Sequence, residues 1–96
     1  MSQEFTGEEL GAGVSIILVD TPPGRGPSLH RHRYEEVFVV REGEVTFTVG
    51  DDERVARAGD IVVVPPGTPH GFVNTGDVPL GMVAVHVNPQ FVTEWL

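Results

Sequence analysis

Glycine and proline recur at short intervals along the whole chain, and this punctuation constrains the fold more than any other feature. Twelve glycines and eight prolines divide the 96 residues into short runs that are rich in Val, Ile, Thr and Phe. Such runs between turn residues are the pattern of many short strands. The sequence therefore predicts an all-β fold, either a sandwich or a barrel.

The end of the chain departs from this pattern. Asn88 is a suitable helix N-cap, and Pro89 suits the first helical position. The stretch "QFVTEWL" that follows has apolar residues at i, i+4 spacing. We therefore expect a short C-terminal helical turn after the last strand.

Length and charge narrow the functional classes. The chain has room for one core, so we expect a single domain over residues 1–96. Its formal charge is −8, with six arginines in no run and no lysine, which disfavours nucleic-acid binding. The start "MSQEFTGEEL" lacks the apolar stretch of a signal peptide, and no apolar run is long enough to span a membrane. A cytoplasmic location is expected.

Histidines and carboxylates gather in "SLHRHRYEEVF". His30 and His32 are two residues apart in an expected strand, so their side chains point to the same face, and Glu36 shares their parity. His70 follows the tight "PPGTP" turn and is placed to complete a set. The chain has no cysteine, so any metal would use N and O ligands, which suit Mn, Fe, Co, Ni, Cu or Zn.

A plainer interpretation of this stretch is a solvated strand. Taken alone, an H-x-H pair more often faces solvent than a metal, and Glu35 beside Arg31 and Arg33 suits a surface laced with ion pairs. Because the neighbours of Tyr34 are so polar, we expect its ring to cover the surface.

Two spaced motifs favour the metal interpretation. The first, G-x5-H-x-H-x3-E-x6-G, occupies residues 24–43, and the second, G-x5-P-x-G-x2-H-x3-N, occupies residues 59–74. Both resemble the motifs of the cupin superfamily at every defined position, and the spacer of fifteen residues is similar to that of small microbial cupins. The two motifs and their spacer cover about half of the chain.

This resemblance implies a fold, a site and a partner. The fold would be a double-stranded β-helix, the jelly-roll barrel of cupins. One divalent transition metal ion per chain would be bound by His30, His32, Glu36 and His70, with Asn74 in a structural role. Small cupins commonly form homodimers through the N-terminal strand and outer sheet, so we expect a homodimer.

A small-molecule pocket is expected beside the ion, at the barrel mouth. Phe38, Val40 and Phe72 share the ligands' parity and are its candidate lining, and Met82 of the last strand is a further candidate. Ordinary core packing is an equal alternative for Phe38 and Met82. His86, outside both motifs, is a candidate general acid/base, because imidazole titrates near neutral pH. The alternative is a polar residue at a strand end or in an oligomer contact.

Three functional classes remain open, since the cupin resemblance implies all of them. We favour a dioxygenase-type oxidoreductase that acts on an aromatic or apolar substrate, because no arginine has a same-face pocket position in either motif. The second class is a non-redox isomerase, cyclase, lyase or decarboxylase, for example a polyketide cyclase. The third is a sensor module that binds a metal or a small ligand without catalysis.

Overall fold

The computed structural model describes residues 2–96 of the chain, which form ten strands and one short helix. In chain order these are β1 (Gln3–Phe5), α1 (Gly7–Leu10), β2 (Ser15–Thr21), β3 (His30–Arg31), β4 (Glu36–Glu42), β5 (Glu44–Val49), β6 (Asp52–Arg57), β7 (Ile61–Val64), β8 (His70–Asn74), β9 (Leu80–His86) and β10 (Glu94–Trp95).

The strands form two five-stranded sheets in which every pairing is antiparallel. The order is β1-β2-β9-β4-β7 in the first sheet and β10-β3-β8-β5-β6 in the second. Neighbours in sequence often lie in different sheets, so the chain crosses repeatedly from one sheet to the other. The predicted all-β fold is confirmed.

Strict alternation of side chains builds the core between the sheets. In β4 and β9, every second residue is buried, and the intervening residues face outward. Phe38 of the first sheet meets Phe47 and Phe72 of the second, with ring centroids 4.9 and 5.8 Å apart. Offset and tilted aromatic contacts of this kind add to the apolar burial that joins two sheets. At one end of the barrel, the buried positions of this alternation hold polar residues: Glu36 begins β4, His70 begins β8 and His86 ends β9.

The predicted C-terminal helical turn is wrong. Residues 87–93 follow bends and irregular backbone, and β10 then pairs with β3, with Glu94 opposite Arg31 and Trp95 opposite His30. Two β-branched residues, Val92 and Thr93, disfavour a helix at this point. The free edge of β3 also offers unpaired backbone groups that a strand satisfies and a helix does not.

The short helix instead lies near the start of the chain. Thr6 caps α1 through a capping box in which its hydroxyl accepts from the Glu9 N–H and the Glu9 carboxylate accepts from the Thr6 N–H. Glu9 follows Thr6 at the required spacing of three residues, so this helix start was readable from the sequence. No helix among residues 2–96 is long and apolar enough to cross a membrane.

Candidate metal centre

Two cross-strand pairs bring the polar residues together at one end of the barrel. In the first sheet Glu36 of β4 lies directly opposite His86 of β9. In the second sheet His30 of β3 lies directly opposite His70 of β8. Side chains of directly opposed residues project to the same side of a sheet, so both pairs point into the space between the sheets.

His32 joins these pairs from the loop after β3. Burial alternates without interruption from Leu29 to Glu36, although the strand itself ends at Arg31. His30, His32 and Glu36 are therefore buried, as their shared parity predicts, while Arg31 and Arg33 are exposed. The solvated-strand interpretation is wrong for the inward residues and holds for the outward ones.

The four residues of the predicted ligand set converge. One donor atom from each of His30, His32, Glu36 and His70 lies within 4.8 Å of all the others, and all four side chains are buried. Glu36 Oε1 lies 3.1 Å from Nε2 of His32 and 3.1 Å from Nε2 of His70. These residues can form a metal site.

Backbone carbonyls select which nitrogen of each imidazole faces the centre. His30 Nδ1 donates to the Ser28 carbonyl at 2.7 Å, and His70 Nδ1 donates to the Thr68 carbonyl at 2.9 Å. His32 Nδ1 donates to the Val92 carbonyl at 2.9 Å. Because a carbonyl oxygen only accepts, each Nδ1 carries a proton, and each Nε2 is left as the candidate ligand atom.

This arrangement fits a cation at the centre. Three imidazole Nε2 atoms with available lone pairs and one carboxylate oxygen converge, so a positive charge, either protons or a metal ion, must lie among them. His32 Nε2 is buried and makes no aligned hydrogen bond, even though Glu36 Oε1 is 3.1 Å away. A buried nitrogen that lacks a hydrogen bond is costly, and a metal ion would satisfy it. The N/O donor set suits a first-row transition metal.

The electrostatics of the site keep its carboxylate ionised. Burial alone would raise the pKa of Glu36, but close contacts with the imidazoles of His32, His70 and His86 outweigh burial and hold that pKa well below its usual range. Burial lowers the pKa of His30, which favours its neutral, metal-binding form. Burial also acts to lower the pKa of His32, but the Glu36 carboxylate and the Val92 carbonyl outweigh it, so that pKa is raised.

A cavity of about 280 Å³ opens beside the centre. His30, His32, Glu36 and His86 line it, together with Phe38 and Phe72, two of the four residues predicted for a pocket. The other two predicted residues, Val40 and Met82, do not line the cavity, although all four belong to the core cluster. Their inward parity is as expected, but they lie further along β4 and β9 from the end that carries the centre.

The C-terminal segment, residues 87–96, forms part of this cavity. Phe91, Thr93 and Trp95 all contribute to its lining, and the Trp95 ring lies 4.8 Å from the His30 ring. The sequence analysis did not predict this role, because it expected a helical turn here. The segment reaches the cavity because β10 pairs with the edge of β3.

Tyr34 is a further residue that the sequence analysis misplaced. Its ring is buried, and its hydroxyl lies 2.8 Å from His86 Nδ1 and accepts from the Val92 N–H at 3.1 Å. The signal was available, since Tyr34 has the same parity as His32 and Glu36. Asn74, expected to have a structural role, donates to the carbonyls of Thr21 and Val78 at 2.9 Å each.

Fold and site together define a small β-barrel protein with a His3Glu centre, and comparison with known proteins identifies the family. The model of the Cupin domain matches residues 17–86, so the chain belongs to the cupin family and its fold is the double-stranded β-helix.

Relatives and solved structures agree with this family. Uncharacterized protein MJ1618 of Methanocaldococcus jannaschii is 31% identical over 82% of this chain and 64% of its own length. Gentisate 1,2 dioxygenase 1 of Aquipseudomonas alcaligenes is 35% identical over 74% of this chain and 20% of its own length. A solved oxalate oxidase in complex with the substrate analogue glycolate is 26% identical, with a TM-score of 0.88 over 100% of this chain and 54% of that one. The chain therefore spans less than two thirds of the length of these relatives.

Proposed function

We propose that the protein is a mononuclear metalloenzyme that acts on a small molecule, most specifically a dioxygenase-type oxidoreductase with an aromatic or apolar substrate. The observation that carries the proposal is the buried His3Glu set that opens into a largely apolar cavity. His30, His32 and His70 would bind a divalent transition metal through Nε2, and Glu36 would bind it through one oxygen. When bound, such an ion supplies Lewis acidity or redox chemistry.

The cavity lining argues for an uncharged substrate. Among the described residues that line it, none is an arginine or lysine, and Glu4 and Glu36 bring negative charge. A small dianion would meet counter-charge only from the bound ion and none from a cationic side chain of the lining. Phe38, Phe72 and Phe91 offer aromatic faces on which a planar ring packs favourably. The volume of about 280 Å³ lies at the small end for ligand pockets, so the substrate is at most a small ring compound.

Dioxygenation needs no second cofactor. Incorporation of both atoms of dioxygen takes its electrons from the substrate and requires no further reductant. The chain's part is to position the ring against the centre and to exclude water with the aromatic wall. The similarity to gentisate 1,2 dioxygenase 1 supports this class.

A non-redox isomerase, cyclase, lyase or decarboxylase is the second candidate. The imidazole of His86 supports it, because this residue lines the cavity beside Glu36 and imidazole is a common proton-transfer group. The predicted acid/base role of His86 belongs to this candidate and stays a prediction. The third class, a sensor without catalysis, requires the same centre but no turnover.

One set of measurements separates these candidates. Elemental analysis of protein purified without added metal gives the bound ion, and dioxygen uptake is then measured with aromatic substrates after reconstitution with Fe, Mn, Ni or Cu. We expect uptake with at least one redox-active ion. Turnover with Zn and no uptake would favour the non-redox candidate, and metal binding with no turnover would favour the sensor.

The ligand assignment has its own control. His32→Ala removes one metal-donor atom and also the hydrogen bond to the Val92 carbonyl, so we expect most bound metal to be lost. Arg33→Ala changes the adjacent exposed residue and should keep full metal content. Unchanged metal content in His32→Ala would contradict the ligand set.

We also propose that the protein is a homodimer, formed through the outer face of the first sheet. Two rows of aliphatic side chains cross this face: Leu18, Val83, Val39 and Ile61 in one, and Ile16, Val85, Val37 and Val63 in the other. Two-fold packing of one such face on its copy would remove it from water without burying a charge. A cytoplasmic location and a single domain over residues 1–96 remain predictions.

A further inference from the structure

The two oxygens of Glu36 have different surroundings. Oε1 faces the centre, 3.1 Å from Nε2 of both His32 and His70. Oε2 faces the other way and lies 2.9 Å from His86 Nε2. A carboxylate with one oxygen held from behind presents only the other oxygen to an ion.

His86 lies outside the group of four donors that converge. The four donors converge without any contribution from His86, whose Nε2 lies near Oε2 of Glu36 rather than near the shared centre. This Nε2 is buried and makes no aligned hydrogen bond, so Oε2 is the polar atom against it. The position suits a residue that acts through Glu36.

The partner of His86 Nδ1 also differs from the partners of the three ligand histidines. Their Nδ1 atoms donate to backbone carbonyls, whereas His86 Nδ1 lies 2.8 Å from the Tyr34 hydroxyl. That hydroxyl already accepts from the Val92 N–H at 3.1 Å, and its own proton is free to go to His86 Nδ1. Nε2 then carries the other imidazole proton and lies 2.9 Å from the negative Oε2, an attractive electrostatic contact although the N–H is not aligned as a hydrogen bond.

Val92 connects this arrangement to the ligand side of the centre. Its N–H holds Tyr34, and its carbonyl accepts from Nδ1 of His32. Val92 therefore orients the candidate ligand His32 directly, and it orients Glu36 indirectly through the two residues that lie between them. Both the tyrosine and the histidine are buried, so water does not compete for these bonds.

We propose that Tyr34 and His86 are positioning residues that hold Glu36 as a one-oxygen metal ligand, anchored by the backbone of Val92. This inference rests on the metal site of the proposed function. Removing such supporting partners typically costs 10–100-fold in metal affinity. Tyr34 acts through His86, so the two effects are not independent.

The test measures metal affinity by chelator competition with Co(II), independently of any turnover. His86→Leu and Tyr34→Phe should each weaken Co(II) binding by roughly 10–100-fold while leaving one ion per chain. His86→Gln retains an N–H donor toward Oε2 and should recover much of the loss. Because Tyr34 acts largely through His86, the double variant should lose clearly less affinity than the sum of the two single losses.

Glu35→Gln is the matched control, since it changes the exposed residue beside Glu36 and should bind Co(II) as the wild type does. Circular dichroism confirms that each variant is folded. Pulsed EPR of the Cu(II) form should count three coupled imidazoles in the wild type and in His86→Leu.

Each result decides one point. If His86→Leu loses a coupled imidazole, His86 is a ligand and the positioning role is overturned. Affinities within about two-fold of the wild type, or additive losses in the double variant, also overturn it. A wild-type protein that binds no metal overturns the proposed function itself, so the two failures are distinguishable.

Discussion

Glu36 holds a negative charge inside the barrel although burial alone would favour its neutral form. Three histidines, His32, His70 and His86, surround the carboxylate and reverse that preference. The cause is close contact with three imidazole rings, because Glu36 itself is almost completely buried and water contributes little. The charge of the centre therefore depends on side chains that come from four different segments.

The ion-free protein should show this dependence in its stability. The folded-state pKa of Glu36 is lowered from an ordinary value near 4.5, so its carboxylate stabilises the fold above that pH and loses this contribution as pH falls. In EDTA, the difference in unfolding free energy between the wild type and Glu36→Gln should shrink below about pH 4.5, by up to about 1.4 kcal/mol per pH unit. Denaturant unfolding at a series of pH values measures it.

Glu35→Gln provides the comparison, because it removes one negative charge from the neighbouring exposed position. Its unfolding free energy should follow that of the wild type over the same range. A difference for Glu36→Gln that stays constant with acidification would show that the carboxylate is not held ionised in the fold.

Alternation along a strand predicts which side chains of the first motif point inward. His30, His32 and Glu36 were placed correctly from their spacing of two, and the same spacing places Tyr34 inside as well. Its polar neighbours suggested the surface, yet those neighbours occupy the outward positions and say nothing of the inward ones. The hydrogen bonds to Val92 could not be predicted, because they involve its backbone N–H and carbonyl, which every residue except proline has.

The link between β2 and β3 lies so close to β8 that it behaves as part of the sheet. Gly24 donates its N–H to the Asn74 carbonyl, and the Asn74 N–H donates to the Arg25 carbonyl, each at 2.9 Å. A Cβ on Gly26 would lie 1.8 Å from the carbonyl oxygen of Phe72. Contact at that distance is impossible, so a side chain at Gly26 must push the link away from β8.

Gly26→Ala should therefore destabilise the protein and disturb the centre together. We expect a loss of about 1–3 kcal/mol or more in unfolding free energy, as for overpacked interiors. Metal affinity should fall as well, since the clash falls on β8, the strand that also carries His70. Gly13→Ala is the matched control, because nothing lies within 4 Å of its added Cβ and its φ is not positive, so its stability should change by less than about 0.5 kcal/mol. Equal stabilities in urea would contradict the close approach.

Pattern and propensity placed the strands well and the chain terminus poorly. Turns rich in glycine and proline mark strand ends locally, so a single sequence is enough to find them. The fate of residues 87–96 depends on contacts with β3, where Trp95 lies on His30 and Glu94 forms an ion pair with Arg31. Contacts between residues so far apart in sequence override local helix signals, and spacing alone does not reveal them.

The two faces of the first sheet differ in chemical character. Its inner face carries Glu36 and His86, while its outer face is aliphatic in four adjacent strands. Single exposed valines are common on protein surfaces, but two continuous cross-strand rows are not. In a chain of formal charge −8, this uncharged area is the part that a second copy approaches without repulsion.

A charge placed in these rows should separate the dimer. Ile61 is 55% exposed at the end of one row, and Ile61→Asp would place two carboxylates in the proposed contact. Val55→Asp is the control: it makes the same kind of change at a residue that is 50% exposed on β6 of the other sheet, where it pairs with Thr46.

In sedimentation equilibrium, the wild type and Val55→Asp should have twice the chain mass of 10.4 kDa, and the mass of Ile61→Asp should approach that of a single chain. A monomeric wild type, or a dimer that survives Ile61→Asp and separates with Val55→Asp, would place the contact elsewhere or remove it. Since the rows lie on the face opposite the centre, the monomeric variant should still bind metal, which distinguishes loss of the contact from loss of the fold.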